Sequence, residues 1–216
     1  MAHLKRQAVS TRWPIPRKGS RYLVKPGAHE NEGIPLLVLL RDVLKVARTK
    51  KEVKKAIHDK NIVINTKIAR DEKHGLTIFD KITIVPSKKN YKISLTLNGK
   101  FTAEEISEKE IKTKTSKIVN KTILKGKKIQ FNLSDGRNVL YDKEGKTNDS
   151  VVLNLEKKTI EKILPFKEKA TVVVVAGKHA GKTGAINKID SEHSMVELET
   201  ENGKINILIK QIMVTE

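Results

Sequence analysis

The stretch of this sequence that comes nearest to a reactive site is Ala176-Gly-Lys-His-Ala-Gly-Lys-Thr183. A nucleotide-phosphate loop needs a glycine, four residues and then Gly-Lys-Ser/Thr between a strand and a helix, because backbone N–H groups and the helix N-terminus surround the phosphate. Here Ala176 takes the place of the first glycine, and Gly177 is one residue too close to Gly181. Apolar and polar side chains alternate after Thr183, which is typical of a strand. We therefore expect a bend between strands and no nucleotide hydrolysis.

No other set of residues predicts catalysis, a metal site or a cofactor. The chain has no cysteine, which excludes disulfides and thiolate chemistry, and its histidines lack metal-ligand spacing. The carboxylates of Glu104, Glu105, Glu108 and Glu110 lie among lysines in a polar segment, where nothing apolar raises a pKa. We expect a protein that is not an enzyme and that binds no small-molecule substrate.

The charge of the chain predicts a polyanionic partner. The 216 residues include 44 Lys and Arg against 25 Asp and Glu, a formal net charge of +19. Nucleic acid is the favoured partner, because neutralising phosphates releases counterions, and an anionic membrane surface is the lesser alternative. Residues 1–89 carry 21 basic and 8 acidic side chains, whereas residues 166–216 carry 7 of each. The main binding surface is therefore expected in the first third of the chain.

The composition also limits the possible modes of RNA binding and the possible cellular locations of the protein. Aromatic residues make up only 4% of the chain, which argues against a platform of rings that stack bases. No apolar run approaches the roughly 20 residues of a membrane-spanning helix, and no signal-peptide pattern opens the chain. We expect a soluble, cytoplasmic protein.

Residues 1–34 are predicted to form a basic arm rather than a packed element. Prolines and glycines at positions 14, 16, 19, 26 and 27 interrupt any periodicity. Such segments often order only against RNA; a disordered, solubilising tail is the alternative, although tails rarely contain a residue such as Trp13. The candidate RNA-binding residues of the arm are Lys5, Arg6, Arg12, Arg17, Lys18, Arg21 and Lys25.

Two short basic helices should follow the arm. Leu36, Leu40, Val43, Leu44 and Ala47 fit one face of a helix. The opposite face would carry Arg41, Lys45 and Arg48. Thr49 and Glu52 have the spacing of a capping box that begins a second helix, which would expose Lys50, Lys51, Lys54 and Lys55. Phosphate binding is favoured over a merely solvated face, because few acids accompany these cations.

The order of elements after these helices resembles a known RNA-binding domain. Residues 61–69 and 75–85 read as strands, and the Asp-Lys-Ile-Thr-Ile run at 80–84 completes the pattern. Residues 35–85 resemble an S4-type RNA-binding domain. The run 3–6, Trp13 and the Lys-Pro-Gly-Ala-His run at 25–29 resemble the opening of the archaeal and eukaryotic type of ribosomal protein S4, the eS4 family. Thr66 stands where S4-type turns commonly have glycine.

The rest of the chain is predicted to be β-rich. Alternating residues from Tyr91 to Leu97 precede an Asn98-Gly99 turn, and further hairpins are expected around 135–136 and 202–203. The lysines at 112, 114, 117, 121, 125, 127 and 128 fit either phosphate contact or plain surface. Gly177-x-x-x-Gly181-x-x-Gly184 after a valine strand resembles a KOW motif, which implies that Lys178, His179 and Lys182 project towards RNA; a structural turn with solubilising lysines is the alternative.

These observations predict an α+β fold: a small S4-type α/β RNA-binding unit, a β-rich, barrel-like central domain, and a C-terminal SH3-like KOW β-barrel. The expected segments are an arm at 1–34, the S4-type domain at 35–89, the central domain at 90–165 and the KOW domain at 166–216. The resemblance implies a structural protein of the small ribosomal subunit, with ribosomal RNA and neighbouring ribosomal proteins as partners. The alternatives are an RNA-modifying enzyme with an S4-type module and a KOW-containing transcription factor.

Overall fold

The computed structural model describes residues 3–28, 33–126, 128–141, 145–190, 193–200 and 203–215. Most of the regular structure is β-strand, with a few short helices. The chain forms two compact units: Met1–Thr96 with Lys100–Lys112, and Leu97–Gly99 with Thr113–Glu216. No helix of the described ranges is both long and apolar enough to cross a membrane.

In the part of the first unit that the structure describes there are nine strands and three helices. Its strands are β1 Leu4–Lys5, β2 Tyr22–Leu23, β3 Ile34–Pro35, β4 Ile62–Ile64, β5 Lys67–Ile68, β6 Gly75–Leu76, β7 Lys81–Ile84, β8 Lys89–Leu95 and β9 Phe101–Glu105. Its helices are α1, an α-helical turn at Leu36–Val38 that continues as a π-helical turn at Leu39–Val43, α2 at Lys50–His58 and α3 at Glu108–Ile111; a 3₁₀ turn spans Arg6–Ala8.

An antiparallel five-stranded sheet in the order β5-β4-β7-β8-β9 is the centre of this unit. The predicted strand that includes Tyr91 and Ile93 is β8, so residues 90–105 extend the sheet that begins at Ile62. Two further strand pairs, β1-β2 and β3-β6, are also antiparallel.

Helix α1 differs from the predicted amphipathic helix. The five side chains from Leu36 to Leu40 are each at most 2% exposed, so the helix is buried on all sides. It also ends earlier than predicted, because Lys45 has a φ of 54° and directs the chain away from the helix axis.

The turn between β4 and β5 is a two-residue hairpin turn at Asn65 and Thr66. Both residues have positive φ, 47° and 67°, so the chain keeps the left-handed conformation that glycine would adopt more easily. The Asn65 amide donates to Asp80 Oδ1 (2.6 Å), and Asp80 Oδ2 accepts from the backbone and hydroxyl of Thr77. These bonds hold the turn although Thr66 is unfavourable there.

The described residues of the second unit form ten strands and a short 3₁₀ turn at Ile209–Gln211. Its strands are β10 Thr113–Ile123, β11 Ile129–Leu133, β12 Asn138–Tyr141, β13 Ser150–Asn154, β14 Thr159–Leu164, β15 Thr171–Val174, β16 Thr183–Asp190, β17 Met195–Thr200, β18 Gly203–Leu208 and β19 Ile212–Val214.

These strands make two antiparallel five-stranded sheets, ordered β12-β11-β10-β13-β14 and β18-β17-β16-β15-β19. Phe131 and Ile118 are central to the core of the first sheet, and Val172 and Leu198 to that of the second. The hairpin predicted at 135–136 is present between β11 and β12. Asn202 of the last predicted hairpin lies outside the described residues.

Candidate nucleic-acid interface

The basic N-terminal segment is packed into the first unit. The indole of Trp13 is 3% exposed, and its Nε1 donates to the carbonyl oxygen of Gly33 (3.0 Å). The carbonyl of Arg12 accepts from the amide of Phe101 on β9 (2.9 Å). The expectation of an unpacked arm is therefore wrong for the described part of 1–34, because one buried aromatic side chain and a strand pair are enough to fix it. His29 of the resemblance lies outside the described residues.

Arg6 belongs to the framework of this segment. Its Nε and Nη1 donate to the carbonyls of Ser20 (2.8 Å) and Pro16 (2.7 Å), and Nη2 donates to the Ser20 hydroxyl (2.9 Å). The guanidinium fork thereby closes the loop from Arg6 to Ser20, and three of its five donors are used inside the protein.

The other cations of the segment differ in exposure. The side chains of Lys5, Arg17, Lys18 and Arg21 are exposed, whereas those of Arg12 and Lys25 are half-buried. The Arg21 guanidinium lies 5.4 Å from the centre of the Tyr22 ring, a cation–π contact.

The predicted face of Arg41, Lys45 and Arg48 does not exist as one helical face. Helical structure ends at Val43, and Lys45 and Arg48 lie beyond it in the link to α2. Arg41 makes a two-pronged contact with Asp42, at 2.8 and 3.1 Å, and the hydrogen bond to that carboxylate raises the pKa of Arg41. Lys45 and Arg48 remain exposed.

Helix α2 begins as predicted. The Thr49 hydroxyl accepts from the amide of Glu52 (3.3 Å), and the Glu52 carboxylate accepts from the Thr49 hydroxyl and amide and from the Arg48 amide. The hydrogen bond from Arg48 is the main cause that lowers the pKa of Glu52. The capping box therefore exists and keeps this carboxylate ionised beside the helix N-terminus.

The four lysines of α2 divide into two pairs. Lys50 and Lys54 approach the same Glu72 oxygen, at 3.2 and 3.6 Å. Burial tends to raise the pKa of Glu72, but hydrogen bonds and these two lysines together lower it. Lys51 and Lys55, four residues apart on the exposed side, pair with no carboxylate of the described residues. They are the α2 cations available to a partner.

The glycine-rich loop connects β15 to β16, two adjacent antiparallel strands, so the predicted bend between strands is confirmed. Gly177 and Gly181 have φ of 87° and 89°. The amides of Ala180, Gly181 and Lys182 donate to backbone carbonyls within the segment 174–182, so they are not available to surround a phosphate. At Gly184 an added Cβ would lie 2.5 Å from the carbonyl oxygen of Glu199, so the close approach there is to the protein itself.

The candidate RNA-binding side chains of this loop are unequally exposed. Lys178 is exposed, whereas His179 and Lys182 are half-buried. Lys178 is thus the loop residue best placed to contact a partner.

Two lysines of the central cluster are neither surface residues nor available to phosphate. Lys114 forms a buried ion pair with Asp135 (2.8 Å). Lys117 is 7% exposed, and its Nζ donates to the carbonyls of Ile209 (2.5 Å) and Ile212 (3.0 Å). Lys114 lies on the same face of β10 as the buried Ser116 and Ile118, and Lys117 lies on the opposite face. The sequence alone gave no signal that either charged side chain would be buried. Lys127 of the same cluster lies outside the described residues.

No group of three or more potential metal-ligating side chains occurs among the residues that the structure describes.

Comparison with known proteins identifies a family. The model of Ribosomal family S4e matches residues 87–160. The model of the KOW motif matches residues 168–199, which confirms that motif.

Relatives match nearly the whole chain. The small ribosomal subunit protein eS4 of Methanocella arvoryzae is 36% identical over 98% of this chain and 93% of its own length. That of Archaeoglobus fulgidus is 35% identical, over 98% of this chain and 92% of its own. The crystal structure of the 30S ribosomal protein S4e from Thermoplasma acidophilum has a similar fold, with a TM-score of 0.74 at 22% identity, covering 85% of this chain and 95% of that one.

Proposed function

The chain belongs to the S4e family of ribosomal proteins, and from this membership we infer that it is a structural protein of the small ribosomal subunit. The resemblance seen in its sequence is thereby confirmed, and the protein is not an enzyme. Neither alternative, an RNA-modifying enzyme or a KOW-containing transcription factor, finds support. Membership also favours the ribosome in the cytoplasm as its location.

We propose that the protein binds ribosomal RNA mainly through phosphate contacts made by its first third. The observation that carries this proposal is a set of exposed cations that pair with no carboxylate of the described residues: Lys5, Arg17, Lys18, Arg21, Lys45, Lys51 and Lys55. Arg48 is exposed as well and interacts with the Glu52 carboxylate. A compact unit with a net charge of +13 over 1–89 repels itself unless a polyanion neutralises it. A-form RNA offers phosphates and shape to such a surface rather than base edges.

The remaining candidates have supporting roles in this proposal. Arg6 and Arg41 shape the surface through their internal contacts, Lys50 and Lys54 anchor α2 to Glu72, and Arg12 and Lys25 are half-buried beside it. Lys178, with His179 and Lys182 behind it, would give a second, weaker contact in a segment whose net charge is zero.

We further propose the working segments expected from the sequence: a basic arm at 1–34, an S4-type RNA-binding domain at 35–89, a barrel-like central domain at 90–165 and an SH3-like barrel at 166–216. The described part of the arm is packed, and β8 and β9 of the proposed central domain pair with the sheet of the first unit. The two five-stranded sheets of the second unit, each with its own apolar core, favour two separate modules there. Neighbouring ribosomal proteins are the proposed protein partners.

Sedimentation of cell extracts tests the proposed function. We expect the protein to co-sediment with small subunits in high salt, and a triple Lys45→Ala, Arg48→Ala, Lys51→Ala variant to be displaced at lower salt than a Lys157→Ala, Lys158→Ala variant. The control lysines are exposed on the β13–β14 turn of the second unit. Protein that stays free of subunits, or that migrates with RNA polymerase, would contradict the proposal.

A further inference from the structure

An apolar pocket of about 220 Å³ opens on the first unit where α1, α2 and the central sheet meet. Leu40 lines it from α1, Val46 from the link to α2, Val53 and Ala56 from α2, and Ile84 from β7. Its walls are almost wholly aliphatic. Ligand pockets for whole small molecules span about 300–1,000 Å³, so this one suits a single flat ring system rather than a complete nucleotide cofactor.

Cationic residues flank this pocket in the chain. Four residues that line the pocket each have a cationic neighbour in the sequence. The pairs, with the cation first, are Lys45 and Val46, Arg48 and Ala47, Lys60 and Asn61, and Lys88 and Ser87. All four cationic side chains are exposed. Lys45, Lys60 and Lys88 pair with no carboxylate of the described residues, whereas Arg48 interacts with Glu52.

Three acids lie in the same segments. Asp42 is bound to Arg41, Glu52 caps α2 and interacts with Arg48, and Asp59 precedes Lys60. Cations still outnumber acids over residues 1–89, by 21 to 8, and an apolar pocket in such a segment complements an apolar ring joined to a phosphate.

The backbone around the pocket is unusual. Lys45, Lys60 and Lys88 have φ of 54°, 58° and 52°, a left-handed conformation in which glycine or asparagine is less strained. The π-helical turn also ends here: the amide of Leu44 donates to Leu39, and that of Val46 to Leu40. Such irregular turns and strained residues are concentrated at functional sites.

Asn61 adds a polar side chain to the lining of the pocket. This side chain is half-buried, while the Asn61 backbone is bonded to Ala56 and Val85. An amide offers a donor and an acceptor side by side, which suits the edge of a base.

From these observations we propose that the pocket takes one unpaired base of the RNA, turned out of its stack, while Lys45, Arg48, Lys60 and Lys88 bind the flanking phosphates. This inference rests on the proposed binding of ribosomal RNA and adds a base-recognition site to it. Unstacked bases in loops and bulges are the parts of RNA that proteins read individually.

Filling the pocket without a change in charge tests this inference. The variant Ala56→Leu, on α2, places a larger apolar side chain in the space, and Ala47→Leu does so from another wall. The matched control is Ala185→Leu, an exposed position on β16. Circular dichroism and thermal melting establish that each variant is folded.

The measurement is chemical probing of unpaired bases in full-length small-subunit ribosomal RNA, with and without the full-length protein. We expect the wild type and Ala185→Leu to protect at least one unpaired base that both pocket variants leave reactive. The pocket variants should bind this RNA about tenfold more weakly, with an unchanged dependence on salt.

The outcomes separate the two proposals. If the wild type does not bind the RNA at all, the proposed function fails. If all variants bind and protect the RNA alike, RNA binding stands and the base-recognition site is overturned. The base-recognition site is also overturned if filling the pocket leaves RNA protection intact but releases a neighbouring ribosomal protein from the subunit.

Discussion

Arg6 illustrates how a residue that reads as a phosphate ligand in the sequence serves the fold. Its fork reaches two carbonyls and one hydroxyl of the loop that it closes. Lysine keeps the positive charge but lacks the planar fork of donors. The substitution Arg6→Lys therefore separates the effect of the charge from that of the hydrogen-bond geometry.

We expect Arg6→Lys to lower the free energy of unfolding by about 1–2 kcal/mol, since two or more hydrogen bonds are lost while the net charge is kept. Urea denaturation measures the change. Arg17→Lys, at an exposed position, is the control and should be neutral. Equal stability of both variants would show that the fork does not hold the segment.

Lys117 is the residue whose titration should affect stability. Burial lowers its pKa to about 8 in the folded protein. The unfolded chain, with an ordinary lysine pKa of about 10.4, binds the proton over a pH range in which the folded protein has released it.

Between about pH 8 and pH 10 the unfolded state therefore holds more protons, and the free energy of unfolding should rise with pH, by about 2 kcal/mol from Lys117. Denaturant titrations across this range measure the slope. Lys81, whose pKa is also lowered to about 8, mainly by burial and further by Lys92, adds a slope of the same sign.

The substitution Lys117→Met should remove the Lys117 share of that slope, whereas Lys125→Met, at an exposed site, should leave it intact. Identical slopes in the two variants would mean that the Lys117 ammonium is not desolvated.

At the scale of elements, the β4–β5 turn contains Thr66 at a position where glycine would be less strained. Thr66 is β-branched and adopts a φ of 67°, which is a true outlier for such a side chain. Its hydroxyl donates to the carbonyl of Asn65 (2.6 Å).

We expect Thr66→Gly to stabilise the protein by about 1 kcal/mol, because an Asn-Gly pair adopts this turn without the left-handed penalty of an L-residue. Thermal unfolding measures the shift, with Thr66→Ala as the control that keeps a Cβ. A lower melting temperature for Thr66→Gly than for Thr66→Ala would show that the backbone entropy lost by glycine outweighs the relief of the left-handed strain.

At the scale of the whole molecule, the uneven charge along the chain should determine the salt dependence of RNA binding. Each phosphate neutralised by a cation contributes about one unit to the slope of log K against log[salt]. The double variant Lys51→Ala, Lys55→Ala should therefore reduce the slope by about two. Filter binding to small-subunit ribosomal RNA at several salt concentrations provides the measurement.

Lys157→Ala, Lys158→Ala removes the same charge from an exposed turn of the second unit and should change the slope little. If both double variants reduce the slope equally, the charge acts through the general field of the protein rather than through contacts of α2.

The sequence by itself determined the family, the β-rich character, the capping box before α2 and the strand–loop–strand form of the glycine-rich segment. Each depends on local spacing: Thr49 to Glu52, Gly177 to Gly181, or alternation along a strand.

Which cations are buried, paired or exposed was decided only by the tertiary structure. Whether Lys117 is buried or Lys51 exposed depends on which distant carbonyls or carboxylates the fold brings near. Trp13 likewise fixes the N-terminal segment through a hydrogen bond to Gly33, 20 residues away in the chain. The pocket flanked by Lys45, Lys60 and Lys88 likewise joins segments that are separate in sequence, because desolvation and ion pairing depend on distance in space.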